Sequence, residues 1–169
     1  MDPTDALRAS IVRDGYAFVD AAEMREMLAR IGSLSDWDAV VSSWNDLEVD
    51  SYLADRGRYR RRRHAAYSVW PDGPIARKPH QPHYQSPDYN RLFGGVERWF
   101  ESIAPEVGEG PSMLTVLGLC RVLFSGMAPT VGSWHVEVHQ FRIEAHPTRQ
   151  GTPRPRACTA TASILCWSC

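Results

Sequence analysis

His135, Glu137 and His139 stand at every second position of the segment 134–144, WHVEVHQFRIE. Valine, isoleucine and phenylalanine between polar residues give it strand composition. A period of two puts His135, Glu137, His139, Phe141 and Ile143 on one face and Trp134, Val136, Val138, Gln140 and Arg142 on the other. Imidazole and carboxylate together suit iron or zinc. The alternative is a histidine hydrogen-bonded to a carboxylate neighbour, and such spacing arises often by chance. Successive members of one strand face lie about 6.5–7 Å apart. Three of them can hardly converge on one ion whose bonds are about 2 Å long, so no metal site is expected from this strand alone.

Three other groupings carry chemistry. Residues 56–63, RGRYRRRR, hold six arginines in eight positions. They could form a solvated face, a pocket that grips carboxylates bidentately, or a nucleic-acid patch, although only Tyr59 offers an interleaved aromatic. His80 and His83 stand three apart, but Pro79 and Pro82 argue against a helix that would align them, so a surface pair is expected. Cys158, Cys166 and Cys169 crowd the tail. No second Cys-x-x-Cys accompanies CWSC to complete a zinc site.

The elements that must position these groups are legible in part. A helix is expected over 4–13 with Thr4 as its cap, a strand around Tyr16, Phe18 and Val19, and a helix over 21–31 with Met24, Met27, Leu28 and Ile31 on one face. Ser35 could cap a further turn or two toward Trp44. The proline-rich stretch 69–87 reads as a long loop. An amphipathic helix is expected after Gly94 and Gly95, through Ile103. The apolar run 111–124 suits a buried helix, with a strand as the alternative.

Length and charge bound the function. A chain of 169 residues builds one domain with a real core. Its 43% hydrophobic and 23% charged residues exclude a wholly disordered or fibrous protein. Nineteen basic against twenty acidic residues give a net charge of -1, so no field of one sign draws nucleic acid or anionic membrane. No apolar run approaches the roughly 18 residues of a membrane span. The start, MDPTDALRAS, lacks the basic and apolar regions of a secretory signal, so a cytoplasmic location is expected. The tail is anomalous: every acidic residue lies at or before Glu144.

The order of the pieces, RGRYRRRR, then HYQSPDYN running into GGVERWF, then a helix, then VEVHQFRIEA, resembles the bacterial 2OG-Fe dioxygenase family that includes the L-isoleucine 4-hydroxylases. The similarity runs from about Gly15 to Gly151. It implies an α+β fold, with N-terminal helices and part of a cupin-like double-stranded β-helix (a jelly roll) whose C-terminal half is missing. It also implies Fe(II), held by a His-x-Asp pair and a distant histidine, and 2-oxoglutarate with O2 used to hydroxylate a substrate. His139, Gln140 and Arg142 on the strand, with Arg58, Tyr84, Gln85 and Asn90 from the loops, are the candidate pocket residues. Arg142 could hold a carboxylate or pair with Glu137 or Glu144.

The family's text continues toward Glu-Gly-x-His-x-Asp, whereas this chain, after Gly151-Thr152-Pro153, has no histidine beyond His146 and no aspartate beyond Asp88. A one-base change of reading frame near codons 153–154 accounts for both the loss and the odd tail. Codons that take the last base of one written codon and the first two of the next permit only His or Tyr across Cys158-Thr159. The shifted tail can read Glu-Gly-Val-His-Arg-Asp-Gly-Val-Asp-Pro-Val-Leu-Val-Leu, with His-x-Asp where the family wants it. The expectation is therefore an incomplete dioxygenase domain over 1–152 and an aberrant, disordered tail over 153–169. The chain would act on an amino-acid-like small molecule in its intact form, retaining no catalytic residue and no bound metal as written. The competing classes are a non-catalytic small-molecule-binding pseudoenzyme and an arginine-patch nucleic-acid binder. Nothing in the sequence sets the oligomeric state.

Overall fold

The computed structural model describes residues 2–52, 60–83, 95 and 97–144, and the backbone of 159–168. Helix α1 (Pro3–Asp14) is capped by Asp2 rather than Thr4. The Asp2 carboxylate accepts the Thr4 N–H at 2.7 Å, and proline takes the first helical turn, where no N–H is needed. Gly15 ends the helix at φ 79°, a left-handed conformation that favours glycine. The strand expected at 16–19 does not form: no strand pairs with it, and Tyr16 and Phe18 are exposed. Helix α2 (Ala21–Ile31) follows as its apolar spacing requires, capped by Asp20 onto the Glu23 N–H. Helix α3 (Trp37–Ser42) and a 3-10 turn (Ser43–Asp46) come next.

A five-stranded antiparallel sheet occupies the rest. Its centre is β2 (Arg60–Val69) paired along its whole length with β4 (Trp134–Ile143), from Arg60 opposite Ile143 to Val69 opposite Trp134. The arginine run is therefore a strand. On its other side β2 meets, in turn, β1 (Glu48–Val49), the extended segment around Ser102, and β3 (Ile75–Arg77). The stretch before Ile103 is extended, not helical. His64 donates its N–H to the Glu101 carbonyl and accepts from the Ile103 N–H, so this backbone serves the sheet. Strand β5 (Thr159–Ser168) pairs antiparallel with the free side of β4. Strand β5 covers an edge that β4 would otherwise leave as unpaired backbone donors and acceptors.

One face of the sheet is apolar. Ala65, Tyr67 and Val69 of β2 and Trp134, Val136 and Val138 of β4 pack with Ile103, Val107, Met113 and Leu117. The last two belong to α5 (Pro111–Met127), entered through the short α4 (Pro105–Gly108). Helix α5 also packs Leu119 and Leu123 against Met27 and Leu28 of α2. No helix among the described residues is long and apolar enough to cross a membrane. Helices gathered on one side of an antiparallel sheet give the expected α+β class.

Candidate functional site

Alternation along β2 and β4 turns a second set of side chains to the face opposite the apolar core: Arg62 and His64 from β2, and His135, Glu137, His139 and Phe141 from β4. The register sets Arg62 against Phe141 and His64 against His139. A third segment adds His83, held by a reciprocal backbone pair with Arg98 at 3.0 Å each way. Glu137 is the hub. His83 Nδ1 lies 2.6 Å from its Oε2, and His139 Nε2 is 3.5 Å from the same oxygen. His64 Nε2 and His135 Nε2 approach Oε1 at 3.7 and 3.6 Å. Lys78 Nζ lies 2.7 Å from the other ring nitrogen of His135.

All of this is buried: His64, His83, Glu137 and His139 are each less than 5% exposed. Burial alone would raise the Glu137 carboxyl, but the imidazoles of His135, His139, His64 and His83 outweigh it and hold the group far below the ordinary carboxylate range. Burial pushes His139 down to about 4 against the pull of Glu137, so its imidazole is neutral at neutral pH. The Arg62 guanidinium lies between the Phe100 and Phe141 rings, 4.3 and 4.0 Å from their centroids. Burial, then the neighbouring Arg60, lower it to about 9, which leaves it a cation at neutral pH.

The ligating atoms of His64, His83, Glu137 and His139 all lie within 4.8 Å of one another, while His135 is outside that set. One strand alone does not supply a metal site; three segments together bring the donors into reach. His83 is not half of a surface pair, since it is buried on Glu137, whereas His80 is exposed and points its Nε2 at the Phe100 carbonyl, 2.8 Å away. His64 was hidden behind the arginine run, and its signal is the period-two step from Arg62.

Of the expected pocket residues among the described ones, His139 alone is on this face. Gln140 donates to Ser43 Oγ at 2.7 Å on the opposite side of β4. Arg142, also on that side, donates to the Trp44 carbonyl at 3.0 Å and pairs with Glu144. Arg58, Tyr84, Gln85 and Asn90 lie outside the described residues. Arg60 and Arg62 share Asp50, Arg61 pairs with Glu144, and Arg63 donates to the Asp46 and Ser102 carbonyls.

The helix-backed antiparallel sheet thus carries a buried histidine–carboxylate cluster on the face opposite its apolar core, with donors that could hold a metal ion. The sequence model of the 2OG-Fe dioxygenase family matches residues 41–158, well over half of the chain, and the chain belongs to that family. Membership implies Fe(II) and 2-oxoglutarate as cofactors.

Among solved structures, the chain is similar to a bsmA homolog from Methylobium petroleophilum PM1, at 29% identity and a TM-score of 0.74, over 88% of this chain and 61% of that one. It shares its fold with IDO from Bacillus thuringiensis, at 14% identity and a TM-score of 0.60, over 86% of this chain and 60% of that one. It also shares its fold with the Fe(II)/(alpha)ketoglutarate-dependent dioxygenase TqaL, at 17% identity and a TM-score of 0.57, over 83% and 48%. The chain thus spans about half to three fifths of the length of these structures. No curated protein matches it.

The His-x-Asp pair that the resemblance calls for is not among the residues of this chain. The donors that are present, three imidazoles and one carboxylate, are chemically competent for Fe(II) and its neighbours. Both ring nitrogens of His64 and Nδ1 of His139 are buried without a hydrogen-bond partner.

Proposed function

We propose that this chain is part of a non-haem Fe(II)/2-oxoglutarate-dependent dioxygenase that hydroxylates a free amino acid or a similar small molecule, and that as written it does not turn over. The match to the 2OG-Fe dioxygenase family over 41–158 carries this reading. With iron bound, 2-oxoglutarate and O2 supply the oxidant that attacks a substrate C–H bond. The written chain lacks the facial His-x-Asp ligands that leave positions open for both reactants. A change of frame near codons 153–154 permits that pair, which is what supports a frame change over an unrelated tail.

The substrate class draws support from a cavity of about 210 Å³ beside the cluster, lined by Glu48, Tyr52, Arg62, Trp99, Phe100 and Glu101 among others. One guanidinium and two carboxylates around a small volume complement a zwitterion. The chain's own task there is to orient the substrate and to keep water from the reacting carbon, with Phe100 separating this cavity from the buried histidines.

Succinate formation from 2-oxoglutarate tests the proposal, with Fe(II), ascorbate and a panel of amino acids. The written chain should give none. The gene with one base inserted near codons 153–154, expressed with its natural downstream DNA, should give succinate and a hydroxylated amino acid. Replacing the histidine of the restored His-x-Asp pair by alanine should abolish both. Turnover by the written chain that is lost in His139→Ala would overturn the proposal and move the iron onto β4. Binding of an amino acid or 2-oxoglutarate without turnover by the frame-restored protein would favour a pseudoenzyme instead.

A further inference from the structure

We infer that His64, His83, Glu137 and His139 form a closed, four-ligand site for a divalent transition-metal ion, separate from the iron on which the family's chemistry depends. Four donors from β2, β4 and the segment after β3 meet with every pair of ligating atoms within 4.8 Å. Tetrahedral coordination with bonds near 2 Å sets ligand atoms about 3.3 Å apart. The cluster therefore closes on an ion by side-chain shifts of about 1 Å, with no change in the β2–β4 register.

The second observation is the unsatisfied nitrogens. A buried imidazole normally hydrogen-bonds through at least one ring nitrogen. His64 is 1% exposed and uses neither, and His139 Nδ1 is also without a partner. His64 Nε2 stops 3.7 Å from Glu137 Oε1, beyond a hydrogen bond but suited to sharing an ion with it. An ion between them would satisfy a His64 nitrogen and give Glu137 a counter-charge.

The donor types select the metal. Three imidazoles and one carboxylate, with no thiolate, favour zinc and its first-row neighbours over magnesium or calcium. Rings close the site: Phe141 stacks on His139 with centroids 5.5 Å apart, and Phe100 lies edge-on to His139 at 6.3 Å. Four protein ligands in a closed shell describe a structural ion, since a catalytic site keeps a position open. Its role would be to tie the loop carrying His83 to the centre of the sheet. His135 would act one step out, orienting Glu137 while engaged with Lys78.

The test is to strip the purified chain with a chelator and titrate it with Co(II), following ligand-field absorption, and then to displace Co(II) with Zn(II). One equivalent should saturate the spectrum. X-ray absorption of the Zn(II)-loaded chain should show nitrogen and oxygen neighbours with imidazole scattering. His83→Ala and Glu137→Gln should each weaken Zn(II) binding by at least tenfold, and His80→Ala should leave it unchanged. Absence of saturation would overturn the inference, as would sulfur neighbours at about 2.3 Å, which would assign the ion to cysteines. Undiminished binding in His83→Ala and Glu137→Gln would overturn it too. The X-ray absorption spectrum of the unaltered chain decides the ligands even if a variant fails to fold. Failure here leaves the dioxygenase reading intact, because that reading places its iron on other ligands.

Discussion

His64 and His139 face each other across the β2–β4 pairing, with ring centroids 4.7 Å apart and planes tilted by 31°. Cross-strand neighbours on one face are fixed by register, and a one-residue slip would send one of them to the apolar side. The two imidazoles are thus held together by the same backbone ladder that builds the core.

Removing the two ends of the cluster should have unequal effects in the metal-free chain. Glu137→Ala takes away the buried carboxylate partner of His83 and should cost about 3–5 kcal/mol. His64→Leu removes a ring that makes no hydrogen bond, and should cost less than about 1 kcal/mol. Zinc at a hundred times its Kd should add about 2.7 kcal/mol to the unaltered chain, and the same concentration at most about 1.4 kcal/mol to His64→Leu. Urea unfolding with and without zinc measures all three.

Asp50 should be the most sensitive acidic residue outside the cluster. Its side chain is fully buried, with Arg60 Nη2 2.6 Å and Arg62 Nε 3.6 Å from Oδ2, while Oδ1 accepts the Tyr52 N–H. Asp50→Ala would strand two partly buried guanidiniums and should cost about 3–5 kcal/mol. Asp50→Asn should cost less, because it keeps the Tyr52 bond. Denaturation midpoints at neutral pH check the order.

Tyr67 should make the fold sensitive to alkali. Burial raises its hydroxyl to about 12, and that hydroxyl donates to the Gly108 carbonyl at 2.8 Å. Between pH 10 and 12 the unfolded chain releases this proton while the folded chain keeps it, so stability falls as pH rises through that window. The loss should reach about 2–3 kcal/mol. Tyr67→Phe should lose about 1 kcal/mol at neutral pH from the missing hydrogen bond. It should also unfold less steeply with alkali, as seen by circular dichroism against phenolate absorbance.

Asp36 should hold the start of α5. Gly110, at the N-cap, has no side chain to offer, and Asp36 Oδ1 instead accepts the Ser112 N–H at 2.9 Å. Asp36→Ala should cost about 1–2 kcal/mol. Gly110→Ala should cost at least as much, because a Cβ there would lie 2.2 Å from Asp36 Oδ2 and 2.7 Å from the Glu106 carbonyl. Thermal melts of both variants compare the two effects.

Helices α2 and α5 and strand β4 were legible in the sequence because each carries its own period, and β4 showed both faces in WHVEVHQFRI. Strand β2 was not legible. Four consecutive arginines have no apolar alternation, and the distinction between Arg60 and Arg62 on one face and Arg61 and Arg63 on the other exists only once β4 lies alongside. His83 was masked by its prolines, since a loop has no period from which to read orientation. Glu137 and His139 could be singled out from the sequence, but His64 could be joined to them only through the pairing of β2 with β4. The strand expected at 16–19 and the helix expected before Ile103 are absent for one reason: composition favours them locally, but long-range backbone partners decide.

Helix α5 belongs to two apolar clusters at once, with Leu117 toward the sheet and Leu119 and Leu123 toward α2. Gly118 lets Ile31 come close, since a Cβ there would meet Ile31 Cγ2 at 2.7 Å. The molecule therefore has a party wall. Local unfolding can proceed on the α1–α2 side, releasing its amides to exchange, while the sheet stays closed on the other. The buried histidines lie beyond the sheet from that wall, in the part whose opening requires the wall itself to give way. Their amides should exchange with the slowest cooperative unit, and those of α1 with the fastest.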